Sequence, residues 1–343
     1  MKITLGNIKI NQNLILFMIC LGIEGSAHTF GMGIIDDRGN VLVDERTVYR
    51  PAPGKGIMPT DATQYFKNNA KKVLENVIEK FGSLNNIDLI SYSAGPGLPP
   101  TLLFTANFST KLSKEYGKIC LPINHMLSHV EIGRLMTNSK DPIIVYLSGG
   151  NSMILTFVGG RYRVVGETED LALGNAIDKV ARQLDLLSPG GPEIEKLALN
   201  GKYVELPYVV KGCDLSFSGI VTAATNLFKK GVSKEDISYS LQEVCFSMIA
   251  EVAERAMAHT EKSELLLVGG VAANKRLYEI LSTMAEERGA KFFVVPHEYA
   301  CDNPVMIGWT GILAHKSGWE PNFKEKILPK WRIDEIDIPW IME

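Results

Sequence analysis

Two histidines, His125 and His129, stand four residues apart in the stretch INHMLSHVEIG. On a helix that spacing puts both imidazoles on one face, where they can reach one ion. Asp302, in ACDNPVMIG, falls where the last strand ends and a helix begins. Two imidazoles and one carboxylate suit Fe(II), Zn(II) or Mn(II), and the positions they leave open are those of a metal that works on a substrate. Paired structural histidines would give the same spacing. Zinc proteases also place two histidines four apart, but with a Glu between them to activate water. Here the intervening residues are Met126, Leu127 and Ser128, so proteolysis has no base. His28 lies in a glycine turn and is expected to line a cleft. His259, His297 and His315 are expected on surfaces or helix ends.

Three glycine-rich turns follow apolar runs: EGSAH (24–28), LSGGN (147–151) and VGGVAAN (268–274). Such turns can expose consecutive backbone N–H groups, and the missing Cβ lets a phosphate come close. A Gly-Gly turn that opens a helix adds the helix N-terminus, which favours anions. Tight packing turns would look similar one at a time. There is no Walker A sequence, so the nucleotide is expected to be held without a P-loop. A fourth stretch, AGPGLPPT (94–101), takes in the first half the place of VGGVAAN in the second.

The elements that must position these groups occur twice. From Leu14 to Tyr49 an apolar strand, a Gly/Ser turn, a strand, a DDRGN turn and a strand form a meander. From Asp141 to Thr168 the same order recurs. Each meander leads into helical periodicity, then strand, helix, strand and a final helix. The first-half helices are expected at 61–81 and 101–116; the last helix starts near Pro304. Three strands followed by alternating helix and strand make a ribonuclease-H-like layout with parallel crossovers. Two copies make an α/β chain of the actin/sugar-kinase/Hsp70 architecture, with a cleft between lobes. The lobes are expected at 18–135 and 136–343, the second with a helical insertion at about 174–260. There, Ile237, Leu241, Val244, Met248, Val252 and Ala256 recur every three or four residues as a core stripe. Residues 1–17 read as a polar leader, with Met18 as an alternative start.

Composition sets the frame. The chain has 343 residues, 45% hydrophobic and 22% charged, enough for two packed lobes. Its formal net charge is −3, so an RNA partner would need a local basic patch or a further subunit. Five cysteines without a Cys-x-x-Cys pair argue against a disulfide framework or zinc ribbon and fit a reducing cytoplasm. No apolar run is long enough to span a membrane.

Taken together, GIEGSAHTFGMGI, AGPGLPP, NHMLSHVEIG, YLSGGN, GETEDLALGNAIDKVAR, SPGGPEIEKLA, LPYVVKGCDLSFSGI, VGGVAANKRL, CDNPVMIGW and WRIDEIDIPW resemble the universal threonylcarbamoyladenosine synthesis family, once labelled sialoglycoprotein endopeptidases. The likeness runs from about Met18 to Trp340 and is to the archaeal/eukaryotic branch, the catalytic subunit of the KEOPS complex. It implies transfer of threonylcarbamoyl from threonylcarbamoyl-AMP to the exocyclic amine of the adenosine beside the tRNA anticodon. It further implies one divalent metal per subunit, Fe(II) or Zn(II), on His125, His129, Tyr146 and Asp302. ATP or threonylcarbamoyl-AMP would lie on Tyr146, Leu147, Ser148, Gly149 and Gly150, with Asp178, Gly191, Glu195 and Asn274 around ribose and adenine. Partners would be tRNA, a small atypical kinase, a dimerising small subunit and a further small regulatory subunit, with no membrane. No catalytic base is implied.

The chain departs from the family pattern at Gln64, Tyr65 and Phe66, where relatives carry a His-rich helix start. It also departs near Phe104, where an Arg is usual, and at Lys275, Pro304 and Val305. Two other readings therefore stay open: a kinase or ATPase of the same fold with Glu24 as base, and a weakened paralogue serving as a scaffold. The Leu- and Phe-rich helix at 101–112 reads either as core or as a partner surface.

Overall fold

The computed structural model describes residues 17–51, 56–187, 189–321 and 323–341. Apart from Phe17, the expected leader lies outside them. The chain builds one topology twice. First come β1 (Ile19–Glu24), β2 (Thr29–Asp36), β3 (Val41–Val48), α1 (Pro59–Phe81), β4 (Leu89–Gly95), α2 (Pro99–Tyr116), β5 (Ile119–Asn124) and α3 (His125–Thr137). Then follow β6 (Ile143–Leu147), β7 (Ser152–Val158), β8 (Arg161–Glu167), α4 (Leu173–Gln183), α5 (Gly190–Ala198), β9 (Val210–Lys211), β10 (Asp214–Leu215), α6 (Ser218–Lys229) and α7 (Lys234–Thr260). The chain continues through β11 (Glu264–Val268), α8 (Lys275–Glu287), β12 (Lys291–Val294), α9 (His297–Ala300) and α10 (Pro304–Lys316).

The sheets run β3-β2-β1-β4-β5 and β12-β11-β6-β7-β8, the same order under renaming. In each, the meander strands pair antiparallel, and the later strands add parallel on the other side of the first. The central strands are buried along nearly their whole length, as parallel strands covered on both faces must be. Helix α7 links its meander to the next parallel strand as α1 does in the first copy. Its expected stripe, Ile237 to Ala256, is buried at every position named. The elements without a counterpart are therefore α4, α5, α6 and the β9–β10 ribbon, a shorter stretch than 174–260.

Two helices tie the copies together. Helix α3 is buried from His125 through Gly133, because it lies between β5 of the first sheet and β11 of the second. Helix α10 follows the second copy in sequence but packs on β1, β2 and β4. It is apolar all round, and such a helix must be covered all round. Val305, Met306, Ile307 and Ile312 share a cluster with Cys20, Ile35, Leu89 and Ile132. A cut at 135/136 thus divides the sequence, while the packing crosses it.

Two of the positions singled out in the sequence fall in one place. Phe66 and Phe104 both pack on Phe30, at ring separations of 5.3 Å and 5.7 Å. Phe108 meets the same ring edge-on at 5.8 Å. The apolar residues of α2 mostly turn inward, as the core reading of 101–112 requires, although Leu103 is half exposed.

Asp170 fastens the added helices to the second sheet. Its carboxylate accepts from the N–H groups of Phe217 (2.9 Å) and Ser218 (3.1 Å) and from the hydroxyls of Ser216 and Ser218, closing the start of α6. Burial opposes its ionisation, but these donors outweigh that and hold the carboxyl well below the usual carboxylate range. A carboxylate depressed in the folded state stabilises above its unfolded pKa and ceases to as pH falls through the folded value. Asp170→Asn keeps one acceptor oxygen but gives up the charge-assisted bonds, and is expected to cost about 1 kcal/mol at pH 7 by urea denaturation. The gap to the unaltered protein should narrow below about pH 4. A gap that stays constant into acid would remove the staple role.

Candidate metal centre and nucleotide site

Asn124 closes β5 and caps α3, its Oδ1 accepting from Leu127 N at 2.9 Å. The cap fixes the first helical residue, His125, and one turn later His129. Both imidazoles then face Asp302. The Nε2 atoms of His125 and His129 lie 3.4 Å and 3.3 Å from Asp302 Oδ1. One ligand atom from each of the three residues falls within 4.8 Å of the others. Asp302 does not sit at a strand end as expected, since α9 intervenes after β12. Its loop is held from both sides instead. Buried Asn303 donates to the carbonyls of Tyr299 and Cys301 and caps α10 through Met306 N. Arg46, on β3, donates to the carbonyls of Asp302 (3.2 Å) and Glu298 (2.8 Å).

Two buried polar atoms at this point have no hydrogen-bond partner: His129 Nδ1 and Tyr146 Oη. The Tyr146 ring, at the end of β6, lies 5.6 Å from the His129 ring. Buried polar groups left unpaired are rare, and a place for a bound ion is one of the standard reasons. Two imidazoles, a carboxylate and a phenol nearby make a nitrogen-and-oxygen donor set that suits Fe(II), Zn(II) or Mn(II) better than the oxygen-seeking Ca²⁺. The residues present fit a divalent transition metal.

Glu24 is the part of the centre that sequence reasoning placed elsewhere, as a kinase base. It is fully buried, and its Oε2 lies 3.1 Å from His125 Nδ1. Its Oε1 accepts from Ser26 N (2.7 Å) and Ser26 Oγ (2.6 Å). The carboxylate thus orients His125 so that Nε2 points at Asp302, an arrangement common behind metal-bound histidines. Burial would by itself push the His125 pKa down, but Glu24 and Asp302 more than offset it and raise it to about 10. For His129 burial wins over Asp302, and the pKa is lowered. Asp302 is held well below the usual range despite burial, chiefly by the His125 charge. In this arrangement a proton on His125 supplies positive charge that a cation would supply instead. Glu24→Gln is expected to weaken metal affinity roughly 10–100-fold with little change in fold. Competition with a chromogenic chelator measures it; unchanged affinity would show that Glu24 does not orient the ligand.

The glycine turns are arranged differently from the expectation of three open cradles. In the first turn, Gly25 N bonds Ser93 Oγ (3.0 Å) and Ser26 N bonds Glu24, so it presents side chains rather than N–H groups. In the second, the N–H groups of Gly150 and Asn151 turn inward to Ser148 Oγ, at 3.3 Å and 3.0 Å. Gly149 and Gly150 are nonetheless exposed, and a Cβ at either would meet open space. Gly174, in the first turn of α4, packs on the Ser148 carbonyl. That brings the N-terminus of α4, which has no side-chain cap, to this turn. In the third turn Gly269 has φ 92° and its α-carbon faces the Leu147 carbonyl so closely that no larger residue fits.

Three of the residues proposed around ribose and adenine bond to neighbouring segments of the second copy. Asp178 Oδ1 accepts from Gly190 N at 2.8 Å, Glu195 Oε1 from Lys275 N at 2.9 Å, and Asn274 Nδ2 donates to Gln242 Oε1 at 2.8 Å. Asn274 Oδ1 also caps α8. Its capacity to donate and accept is thus already engaged within the protein. Beside Gly191 a Cβ would meet open space.

Two copies of one α/β topology, a donor cluster where their tying helices meet, and glycine turns at the strand ends define a protein of the actin/sugar-kinase/Hsp70 class. Solved structures agree on the fold. HypF of Thermococcus kodakarensis aligns with TM-score 0.57 at 15% identity, over 87% of this chain and 48% of that one. The activator of 2-hydroxyisocaproyl-CoA dehydratase from Clostridium difficile aligns with TM-score 0.52 at 11% identity, over 88% and 96%. The amino-acid sequence is much closer to other proteins. It is 48% identical over 325 residues to the tRNA N6-adenosine threonylcarbamoyltransferase of Archaeoglobus fulgidus, 94% of this chain and 100% of that one. It is 46% identical over 328 residues to a probable bifunctional tRNA threonylcarbamoyladenosine biosynthesis protein of Methanocaldococcus jannaschii, covering 95% of this chain and 61% of that longer protein. Residues 40–309 match the tRNA N6-adenosine threonylcarbamoyltransferase family as a whole. The chain belongs to that family of transferases.

Proposed function

We propose that this chain transfers threonylcarbamoyl from threonylcarbamoyl-AMP to the exocyclic amine of the adenosine beside the tRNA anticodon. The observation that carries the reading is the convergence of His125, His129 and Asp302 beside the unpartnered Tyr146 Oη, on the strand that leads into the open Gly149–Gly150 turn. In the reaction the amine nitrogen bonds the carbamoyl carbon, the bond from that carbon to the AMP phosphate oxygen breaks, and the amine proton passes to solvent. AMP is a stable leaving group, so no strong base is required. His125, His129 and Asp302, with Tyr146, would hold the divalent metal, Fe(II) or Zn(II). When bound, it supplies positive charge for the oxygen on which negative charge develops. Glu24 and Ser26 orient His125. The Leu147–Ser148–Gly149–Gly150 turn and the α4 N-terminus receive the phosphate. Asp178, Gly191, Glu195 and Asn274 form the wall for ribose and base, mainly by holding α5 and α8 in place.

In this reading the lobes are 18–135 and 136–343, and the protein works in the cytoplasm. Among the described residues the cysteines are free and no helix is long and apolar enough to cross a membrane. The small kinase, the dimerising subunit and the regulatory subunit of the KEOPS complex are its proposed partners. The kinase alternative loses support at Glu24, which is buried and bonded to Ser26 and His125 and so is not free to act as a base.

The test is a transfer assay with tRNA, threonine, bicarbonate, ATP, the enzyme that makes the activated intermediate and the partner subunits. Modified adenosine is read by mass spectrometry with and without chelator. Chelator-sensitive product is expected. Bound nucleotide and assembled complex without product would favour the scaffold reading.

A further inference from the structure

We propose that the groove between α4 and α6 is a phosphate-binding track for the RNA substrate, next to the transfer site. It has a volume of about 440 Å³ and carries Lys179, Arg182 and Gln183 on α4, with Asn226 and Lys229 on α6. On α4, Lys179 and Gln183 are four residues apart on one face, and Arg182 lies beside them, one turn beyond Asp178. Among the described residues no carboxylate lies within ion-pair distance of Lys179, Arg182 or Lys229. Other cations, among them Lys80, Arg134, Arg161, Lys262, Arg276 and Arg288, each hold an acidic partner, so the three in the groove keep their charge free for an anion. The groove walls also lack free acids. Helix α6 contains neither Asp nor Glu, and the carboxylate of α4, Asp178, accepts from Gly190 N. The side-chain amides of Gln183 and Asn226 have no partner among the described residues and can donate to phosphate oxygens.

Position favours nucleic acid. The first turn of α4 packs on the Ser148–Gly149 turn through Gly174. At 1.5 Å per residue, Lys179 lies roughly 8 Å and Arg182 roughly 12 Å further along the axis. Helix α4 thus runs from the turn assigned to the phosphate directly into the basic groove, so a strand with its acceptor adenosine in the cleft has these cations within a few nucleotides' reach. In a chain of net charge −3, an unpaired basic groove beside the site is the local patch that an RNA substrate needs. The inference rests on the transferase reading, because that reading is what puts RNA at the cleft.

The test uses the full chain with Lys179→Gln, Arg182→Gln and Lys229→Gln combined, and labelled tRNA in a binding titration across a range of salt. The unaltered chain is expected to bind with a steep salt dependence. The variant should bind roughly ten-fold or more weakly at low salt, and its log–log salt slope should be shallower by about 2. Bound metal and ATP affinity should not change. Unchanged tRNA affinity and slope in the variant would overturn the groove, even with full transfer activity in the unaltered chain. So would loss of a protein partner with tRNA binding intact, which would make the groove a protein interface. Groove-dependent tRNA binding without any modified adenosine would instead sink the transferase reading and leave the groove standing.

Discussion

His129→Ala is expected to abolish metal binding and to slow transfer roughly a thousandfold, about 4 kcal/mol of transition-state stabilisation. The chain should still fold. His129 Nδ1 has no partner and its Nε2 faces only Asp302, so removing the ring breaks no hydrogen-bond network that supports α3. His125→Ala should abolish the same activity, but it would also leave the buried Glu24 carboxylate without its imidazole, so stability would fall with function. That makes His129→Ala the cleaner experiment. Ser128→Ala is the matched control, since Ser128 Oγ donates to its own helix at Asn124 O and faces no ligand. Elemental analysis for bound metal, circular dichroism and the transfer assay are read together. A His129→Ala protein that retains metal and turnover would remove the donor set from the mechanism.

Much of this centre could be read from the chain because its signals are local or doubled. The four-residue spacing of His125 and His129 needs only a helix to become geometry, and Asn124 supplies its start. The fold was legible because the meander and the alternation after it occur twice, and the core stripe of α7 fell where periodicity put it. What escaped was long-range. Glu24 reaches His125 across 101 positions, and a Glu in a glycine turn gives no sign that it will be buried behind a histidine. The direction of a turn's N–H groups depends on nearby hydroxyls. Ser93 and Ser148 take the N–H groups that spacing alone left free for phosphate. The packing of α10 also has no periodic signature, because a helix apolar on all sides does not say which sheet will cover it. The site assignments in the second copy are legible as a neighbourhood, with Asp178, Glu195 and Asn274 bonded to its loops, and their roles toward ligand stay proposals.

Gly22→Ala is expected to destabilise the protein by more than about 3 kcal/mol, lowering Tm by roughly 5–10 °C. A Cβ at this position on β1 would overlap the Pro304 carbonyl oxygen and the Gly308 backbone nitrogen. Both are main-chain atoms of α10, so no side chain can rotate away. Gly308 and Gly311 complete the close approach, the latter against Ser91. The strain would not stay on the first sheet. Asn303 caps α10 and donates to the Tyr299 and Cys301 carbonyls just before Asp302, so moving the helix moves the carboxylate that faces both histidines. Metal affinity should therefore fall together with stability, although Gly22 touches no ligand. Gly149→Ala makes the contrast: its Cβ would enter open space, so stability should stay within about 0.5 kcal/mol while substrate binding suffers. If Gly22→Ala instead leaves Tm and metal affinity as they were, α10 does not pack on β1 this closely. The route by which the first sheet positions Asp302 would then have to run through Arg46 alone.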